Sequence, residues 1–297
     1  MKRVAERLLV AGVGLIGGSL ALALRRAGAV GEVVGLGRSE QNLRVARARG
    51  IIDRIERDPC RAARGVDLVV VAVPVGAIAP VVRALAPALP PEAVITDAGS
   101  VKGPVVRAVE RALGTTAGRF CGAHPIAGTE DSGAAAAADD LLRGERCVLT
   151  PTRATRPATV RRVRALWKAA GMRVETMGLA EHDAIFALVS HLPHLAAFAL
   201  VGAVADAGRA RRALAFAAGG FRDGTRVAAS SPEMWTDILL ANRAQVLAAL
   251  GRFERSCEGL RGAIARGDRR RLLAVLARAR AVRRRLTRPA AGARRRS

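Results

Sequence analysis

Hydrophobic positions in the first 176 residues form short β-type runs separated by helical patterns. Six runs have the length and β-branched content of strands. They cover residues 7–11, 32–36, 67–74, 93–97, 120–123 and 173–176. Helical patterns lie between them, most clearly at 18–26 and 153–170. This alternation predicts an α/β fold with a doubly wound, mostly parallel sheet.

From Glu181 onward the β-type runs disappear and helical patterns dominate, so we place a domain boundary near Gly178. The sequence predicts an α/β domain over 1–178 and an all-helical domain over 179–297. Residues 184–205 contain no Asp, Glu, Lys or Arg, and their length would suit a bilayer. Polar side chains in the middle of this stretch are costly in lipid, which favours a helix buried in a bundle or a dimer, without membrane contact.

A glycine-rich segment connects the first strand to the first helix. It reads Gly12-Val-Gly14-Leu-Ile-Gly17. In this context a G-x-G-x-x-G string predicts a dinucleotide site, with the diphosphate at the helix N-terminus. A glycine-rich turn that binds nothing is the alternative. A basic start and an apolar stretch also imitate a signal peptide, but the glycines interrupt it.

Cofactor choice stays open at the end of the second strand. An acidic residue is usual about 20 residues after the G-x-G-x-x-G string, where it binds the ribose 2′-hydroxyl of NAD. Gly37 stands there instead, followed by Arg38 and Ser39. A guanidinium and a hydroxyl would admit the 2′-phosphate of NADP, whereas an Arg38 that only stacks on the adenine would leave NAD possible.

Ligands of such sheets bind beyond the carboxyl ends of the strands. Val73-Pro74, Ser100 and His124 follow three successive strands and should share the edge that carries the glycine turn.

The helical half contains a second group of polar residues. Pro193, between His191 and His194, should bend the long uncharged helix. The two histidines are equally compatible with satisfied core positions. Residues 216–226 read as a glycine-rich turn that contains Arg222 and Arg226, either of which could bind a carboxylate.

Composition adds a strong basic balance. The net charge is +24, aromatic residues make up 3 % of the chain, and apolar residues 51 %. Within residues 261–297 the sequence predicts an amphipathic helix with a basic outer face, followed by a tail from Pro289 onward. A solvated surface explains this charge best, because nucleic-acid binding would need interleaved aromatic residues. The four cysteines are far apart and form no Cys-x-x-Cys pair, so we expect no zinc ribbon, no other metal site and a reduced cytoplasmic protein.

Five motifs together resemble the prephenate dehydrogenase family, in order and spacing, from about Arg3 to Leu250. They are Gly12-Val-Gly-Leu-Ile-Gly-Gly-Ser19, Asp97-Ala-Gly-Ser-Val-Lys102, His124-Pro-Ile-Ala-Gly-Thr-Glu130, Ser190-His-Leu-Pro-His194 and Gly220-Phe-Arg-Asp-Gly-Thr-Arg226 with Met234-Trp235. The resemblance implies a Rossmann domain, a helical dimerisation domain, a homodimer, and an active site in the cleft between the domains.

The resemblance further implies oxidative decarboxylation of prephenate to 4-hydroxyphenylpyruvate in tyrosine biosynthesis, with NAD or NADP. His124 matches the family's catalytic histidine and Ser100 the serine that supports the same substrate hydroxyl. The implied substrate-binding residues are Arg226, His194, Thr129, Glu130 and Trp235. The implied cofactor-binding residues are Gly12, Gly14, Leu15, Ile16, Gly17, Arg38, Ser39, Val73, Pro74 and Ser100.

Several alternative functions compete with the oxidation of prephenate. Arogenate dehydrogenase and a dual-specificity cyclohexadienyl dehydrogenase share the same motifs. Another hydroxy-acid dehydrogenase would need a catalytic lysine in the helical half, and no lysine follows Lys168. A nucleic-acid-binding protein on a dehydrogenase-like fold is the most distant alternative.

Overall fold

The computed structural model describes residues 3–129 and 131–286, and one eight-stranded sheet organises it. The strands are β1 Ala5–Ala11, β2 Val30–Leu36, β3 Arg54–Glu56, β4 Leu68–Val71, β5 Val94–Asp97, β6 Phe120–Ile126, β7 Arg146–Thr150 and β8 Arg173–Thr176. Their order in the sheet is β3-β2-β1-β4-β5-β6-β7-β8.

The first six strands pair in parallel, and only β7 runs antiparallel to its neighbour β6. Chain order runs outward from β1 in both directions, so β1 and β4 meet at a topological switch point. In such sheets this point opens the ligand crevice at the carboxyl edge. The predicted Rossmann-type α/β architecture is confirmed.

Within the described residues, thirteen α-helices connect and follow the strands. In the sheet region they are α1 Leu15–Arg26, α2 Glu40–Ala48, α3 Pro59–Ala63, α4 Ile78–Leu85, α5 Gly103–Leu113 and α6 Pro157–Ala169. The helices that follow the sheet are α7 Leu179–Phe186, α8 Leu192–Ala205, α9 Ala210–Ala215, α10 Gly219–Thr225, α11 Pro232–Ala241, α12 Arg243–Ala265 and α13 Arg269–Leu286. The predicted all-helical second half is therefore confirmed for its described residues.

Side chains of the central strands alternate between two hydrophobic layers, as the two-residue period of a strand requires. In β1, Leu8 and Val10 pack into the layer that contains Trp167 of α6. Leu9 and Ala11 pack into the opposite layer, under α3, α4 and α5. Helices on both faces explain why residues 8–11 of β1 and all four residues of β4 are apolar.

Two strands were missed, and the bounds of β1, β2, β4 and β6 differ from the predicted ones by two residues or more. β3 is short and charged, whereas β7 contains the apolar run 147–149 between Gly144 and Pro151, a signal that sequence reasoning could have used. The predicted strand at 67–74 ends at Val71. β6 continues past the predicted end, so His124 lies inside a strand.

The long uncharged helix is less buried within the chain than the sequence suggested. A π-helical turn, Ala187–His191, separates α7 from α8, and Pro193 lies in the first turn of α8. Large apolar side chains are exposed along this stretch, namely Ile185, Leu188, Val189, Leu200 and Val201. Burial inside a single-chain bundle is therefore wrong. By length and composition alone, Leu179–Ala205 could also cross a membrane.

The contacts divide the chain into two compact units after Val246. Helices α7 to α11 thus belong to the same compact unit as the sheet, and the boundary near Gly178 stays a prediction. In the second unit, α13 confirms the predicted basic amphipathic helix. The predicted tail from Pro289 lies outside the described residues.

Candidate active site

The glycine turn after β1 has the geometry of a dinucleotide cradle. Gly12 has φ +95°, and a Cβ there would lie 2.3 Å from the carbonyl oxygen of Ala72. A Cβ on Gly17 would lie 2.2 Å from the carbonyl oxygen of Gly12. At Gly14 a Cβ would meet nothing within 4 Å. The first and third glycines therefore allow tight packing, and the second leaves room for a ligand to approach the backbone.

A cavity of about 1270 Å³ runs along the carboxyl ends of β1, β2 and β4. Six of the predicted cofactor residues line it: Gly12, Gly14, Arg38, Ser39, Val73 and Pro74. The other four, Leu15, Ile16, Gly17 and Ser100, are not among its lining residues. The N-terminus of α1 follows Gly14, which provides no side-chain cap, so its N–H groups suit a diphosphate. Cradle and cavity together fit a dinucleotide.

The end of β2 is basic where a carboxylate is usual. Arg38 is exposed and lines the cavity beside Arg57, which lies 3.5 Å from Glu40. Ser39 caps α2 by accepting the Asn42 N–H at 3.2 Å. Asp58, also in the lining, caps α3 by accepting the Arg61 N–H.

Asn42 was missed by the sequence analysis although it lines the same cavity. Its side-chain amide donates to the carbonyl oxygen of Val13 at 2.7 Å and accepts the N–H of Ala134 at 2.8 Å. It thereby connects the glycine turn to the loop that follows β6.

His124 lies at one end of a hydrogen-bonded chain of three side chains. Its Nδ1 lies 2.9 Å from Nε2 of His182, and Nδ1 of His182 lies 2.9 Å from Oδ1 of Asp183. Phe186 packs against the His124 ring at a centroid distance of 4.5 Å. His182 and Asp183 are buried residues of α7, so the first helix of the second half reaches the active edge of the sheet.

Backbone groups hold Asp183 in place. Its two carboxylate oxygens accept the N–H groups of Lys102 and Gly103, each at 2.8 Å, at the start of α5. The side-chain amide of Asn242 donates to the Asp183 carbonyl oxygen at 2.9 Å and lies 3.1 Å from Nδ1 of His191. Three separate elements therefore converge on one carboxylate residue.

A buried ion pair fixes the backbone directly before His124. The Lys102 ammonium contacts the Asp97 carboxylate, and both side chains are 0 % exposed. Lys102 also donates to the Ala123 carbonyl oxygen at 2.8 Å, while Asp97 accepts the Ala123 N–H at 3.0 Å. The pair therefore holds both sides of the residue that precedes the catalytic candidate.

Burial keeps the histidines of the site neutral. It lowers the pKa of His124 well below the usual 6.5, and the nearby His182 and Lys102 lower it further. Burial also lowers the pKa of His182, although the hydrogen bond to Asp183 opposes the shift. Burial alone would raise the pKa of Asp183, but hydrogen bonds from His182, Lys102 and Gly103 lower it, so this carboxyl is ionised.

The predicted substrate residues form a second group. Trp235, buried in α11, stacks on the ring of His194 at a centroid distance of 3.7 Å. Burial lowers the pKa of His194, and the charge of Arg226 lowers it further, although the hydrogen bond with the Ser190 carbonyl oxygen opposes the shift. Trp235 therefore reaches His194 within its own chain. Its indole N–H is buried without a partner among the described residues.

The remaining predictions have mixed outcomes. Ser100 is partly buried in the turn between β5 and α5. Thr129 is exposed, and its hydroxyl oxygen accepts the Asp131 N–H at 3.2 Å, while Glu130 lies outside the described residues. The glycine-rich turn predicted at 216–226 is wrong, because Gly219–Thr225 is helical and Arg226 begins a 3₁₀ turn. No group of three metal-ligating side chains occurs within 3–129 and 131–286.

His182 and Asp183 are the principal residues that sequence reasoning missed. Glu181-His182-Asp183 are the last polar residues before the uncharged stretch 184–205. A polar pair at the start of an otherwise apolar helix was the available signal.

Comparison with protein families places this site in a known group. The family description "Prephenate dehydrogenase, nucleotide-binding domain" matches residues 20–176, and "Prephenate dehydrogenase, dimerization domain" matches residues 179–278. The chain belongs to the prephenate dehydrogenase family. Prephenate dehydrogenases are dinucleotide-dependent oxidoreductases, so the chain is an NAD(P)-dependent enzyme of that class.

Individual family members cover most of the chain. The cyclohexadienyl dehydrogenase of Zymomonas mobilis is 36 % identical over 89 % of this chain and 90 % of its own length. The Aquifex aeolicus prephenate dehydrogenase, solved in complex with hydroxyphenyl propionate and NAD+, has a TM-score of 0.87 at 36 % identity and covers 95 % of this chain and 98 % of that one. The Synechocystis arogenate dehydrogenase has a TM-score of 0.79 at 29 % identity and covers 95 % and 100 %.

Proposed function

We propose that this chain oxidises and decarboxylates prephenate to 4-hydroxyphenylpyruvate, the precursor of tyrosine, with a bound nicotinamide dinucleotide as hydride acceptor. The observation that carries the proposal is His124, a neutral imidazole held by a partly buried hydrogen bond to His182 at the carboxyl edge of the sheet. That edge also carries the dinucleotide cavity.

His124 would act on the hydroxyl of the substrate ring. Removal of a hydride from the carbon that bears this hydroxyl leaves positive character on the oxygen. A neutral imidazole nitrogen that accepts the hydroxyl hydrogen stabilises that charge, because the pKa of His124 keeps the ring unprotonated. The ring carboxylate then leaves as CO2, and its electron pair completes the aromatic ring. Ser100, in the turn after β5, would be a second partner for the hydroxyl.

The substrate carries two carboxylates and calls for fixed cations and donors. Arg226 supplies a guanidinium whose charge acts on His194, and Trp235 stacks on the same imidazole ring. We assign Thr129 and Glu130 to the entrance of the site, as the family resemblance implies. The domain boundary near Gly178 remains part of this proposal.

The basic end of β2 supports NADP as a cofactor besides NAD. A 2′-phosphate would meet Arg38, Ser39 and Arg57, and the residue at the usual acidic position is Gly37. NADP turnover at least equal to NAD turnover would support this assignment, whereas turnover with NAD alone would overturn it.

Arogenate is the second candidate substrate, alone or beside prephenate. The names of the Zymomonas and Synechocystis relatives support it, because one is a cyclohexadienyl dehydrogenase and the other an arogenate dehydrogenase. Arogenate differs only in an amino group that replaces the side-chain keto group, so the chemistry at His124 is the same.

We further propose a cytoplasmic homodimer. The dimerization-domain match covers the exposed apolar side chains of the stretch 185–201, which supports a subunit interface there. Recovery of the expressed chain in the membrane fraction would contradict the cytoplasmic assignment.

One assay tests the proposed reaction. Purified protein receives prephenate or arogenate, each with NAD or NADP, and absorbance follows the reduced nicotinamide. Turnover in any of the four mixtures supports the reaction class, and the best pair identifies substrate and cofactor. Absence of turnover in all four mixtures, with folded protein, would contradict the proposal. The basic C-terminal region, tested for salt-dependent DNA binding, would then be the alternative.

A further inference from the structure

The ionised carboxylate of Asp183 sets the direction of the hydrogen bonds that end at His124. A carboxylate has no hydrogen to donate, and this one already accepts two backbone N–H groups. The ring nitrogen that faces it, Nδ1 of His182, lies 2.9 Å from Oδ1 and must carry the hydrogen. The reverse arrangement would place two lone pairs opposite each other in a buried site.

The hydrogen on Nδ1 of His182 also determines which nitrogen of His124 is protonated. A neutral imidazole has one N–H, so Nε2 of His182 is an acceptor once Nδ1 is protonated. Nδ1 of His124 lies 2.9 Å from this acceptor and must donate. The unprotonated nitrogen of His124 is therefore Nε2. Burial lowers the pKa of both rings, so neither becomes the doubly protonated form that would remove this constraint.

We propose that His182 and Asp183 are positioning residues that hold His124 in the tautomer with a hydrogen on Nδ1, so that Nε2 accepts the hydrogen bond of the substrate hydroxyl. The part that concerns the substrate rests on the proposed function. The tautomer itself follows from the contacts within the chain. His182 and Asp183 act through His124 and are not assigned to the substrate.

Nitrogen NMR tests the tautomer without substrate. The chain has four histidines, so full-length protein labelled with ¹⁵N-histidine gives a spectrum that single replacements can assign. At neutral pH we expect the hydrogen of His124 on Nδ1. His194 is the internal reference, because its Nδ1 lies 2.9 Å from the Ser190 carbonyl oxygen and its tautomer does not depend on α7.

Replacement of Asp183 by Leu should release the constraint. Leucine lacks the oxygen that accepts from Nδ1 of His182, so His182 is no longer oriented and His124 should become a mixture of tautomers while His194 stays unchanged. A hydrogen on Nε2 of His124 in the wild type would overturn the proposal. An unchanged His124 signal in folded Asp183→Leu protein would overturn it as well. Since this readout needs no turnover, its failure is separate from failure of the proposed reaction.

Kinetics separate positioning from a merely structural role. His182→Leu removes the acceptor for His124 and should lower kcat about 100-fold with little change in nucleotide Kd. His182→Gln keeps an acceptor oxygen and should restore most of kcat. Equal losses in both variants, or a parallel loss of nucleotide affinity, would contradict the proposal. The wild-type spectrum decides the tautomer even where a variant does not fold.

Discussion

At the scale of single residues, the two histidines of the candidate site do not change their protonation state near neutral pH, as exposed histidines do. His124 and His182 are neutral because they are buried beside a lysine, whereas Asp183 is ionised because three donors face it. This combination of a neutral imidazole and a fixed anion behind it suits hydrogen-bond acceptance from a hydroxyl. It requires no proton uptake from solvent.

Arg226 carries the first residue-scale prediction. If its guanidinium binds a substrate carboxylate, Arg226→Ala should raise KM about 10-fold or more, since a hydrogen bond to a charged group contributes about 1.5–3 kcal/mol. Steady-state kinetics with the better substrate measure this change. Arg222→Ala, an exposed arginine four residues earlier, is the matched control and should leave KM unchanged. Equal KM values in both variants would remove Arg226 from the site.

Functional residues could be recognised in the sequence only where they belong to a contiguous motif. The glycine turn and His124 stand in short motifs, and both lie where the sequence placed them, apart from the extra length of β6. His182 and Asp183 contact residues 58 to 81 positions away. No local pattern encodes such a contact, because the sheet order brings these segments together.

At the scale of elements, the site depends on how α5 and α7 meet the carboxyl edge of the sheet. The N-terminus of α5 presents two backbone N–H groups to a carboxylate from α7, and Asp97 at the end of β5 pairs with Lys102 directly before α5. A buried ion pair contributes little net stability, but removal of one partner leaves an uncompensated charge.

The second prediction tests this pair. Lys102→Met leaves the Asp97 carboxylate buried without its cation, so the free energy of unfolding should fall by about 3–5 kcal/mol. Urea unfolding at fixed protein concentration measures the loss. Arg146→Met removes an exposed pair with Glu175 and is the control, with an expected loss below about 1 kcal/mol. A loss in Lys102→Met no larger than in the control would contradict the structural role of the pair.

The elements themselves were predictable to different degrees. The apolar runs of β1 and β4 could be predicted from the sequence, because these strands are covered on both faces. β3 was not predictable, since its three residues include two charged ones and its position depends on pairing with β2. The helical character of Gly219–Thr225 was also hidden, because three glycines in seven residues indicate a turn.

At the scale of the whole molecule, a single chain leaves a long apolar surface uncovered. Leu200 is 47 % exposed, and other large apolar side chains on the helices of the dimerization-domain match are exposed as well. The sequence indicated a buried helix, and burial by a second copy of the chain reconciles that pattern with the exposure.

The third prediction concerns this surface. Leu200→Glu should place a charge in the subunit interface and shift the protein from dimer to monomer, because an unpaired buried charge is costly. Light scattering after size exclusion measures the mass. Leu286→Glu changes an exposed leucine outside the dimerization-domain match and should leave the dimer intact. Wild-type protein that is monomeric at micromolar concentration would contradict the proposed assembly.

The fourth prediction concerns stability against pH. All four histidines have lowered pKa values in the folded protein, and burial lowers that of His191 to about 4. The unfolded chain therefore binds more protons below about 6.5, and the free energy of unfolding falls as pH drops from there towards about 4. Each such histidine contributes a slope of up to about 1.4 kcal/mol per pH unit. Urea unfolding across this window checks the slope, and stability that rises on acidification would contradict it.

The fifth prediction, at His124, tests the central claim most directly. Wild-type protein and His124→Asn are compared in the four substrate and nucleotide mixtures, with nucleotide Kd measured on the same samples. The account predicts turnover in the wild type, a loss of about 10²–10⁴-fold in the variant, and an unchanged Kd for the nucleotide. Turnover near the wild-type level in folded His124→Asn would contradict the assignment of this site.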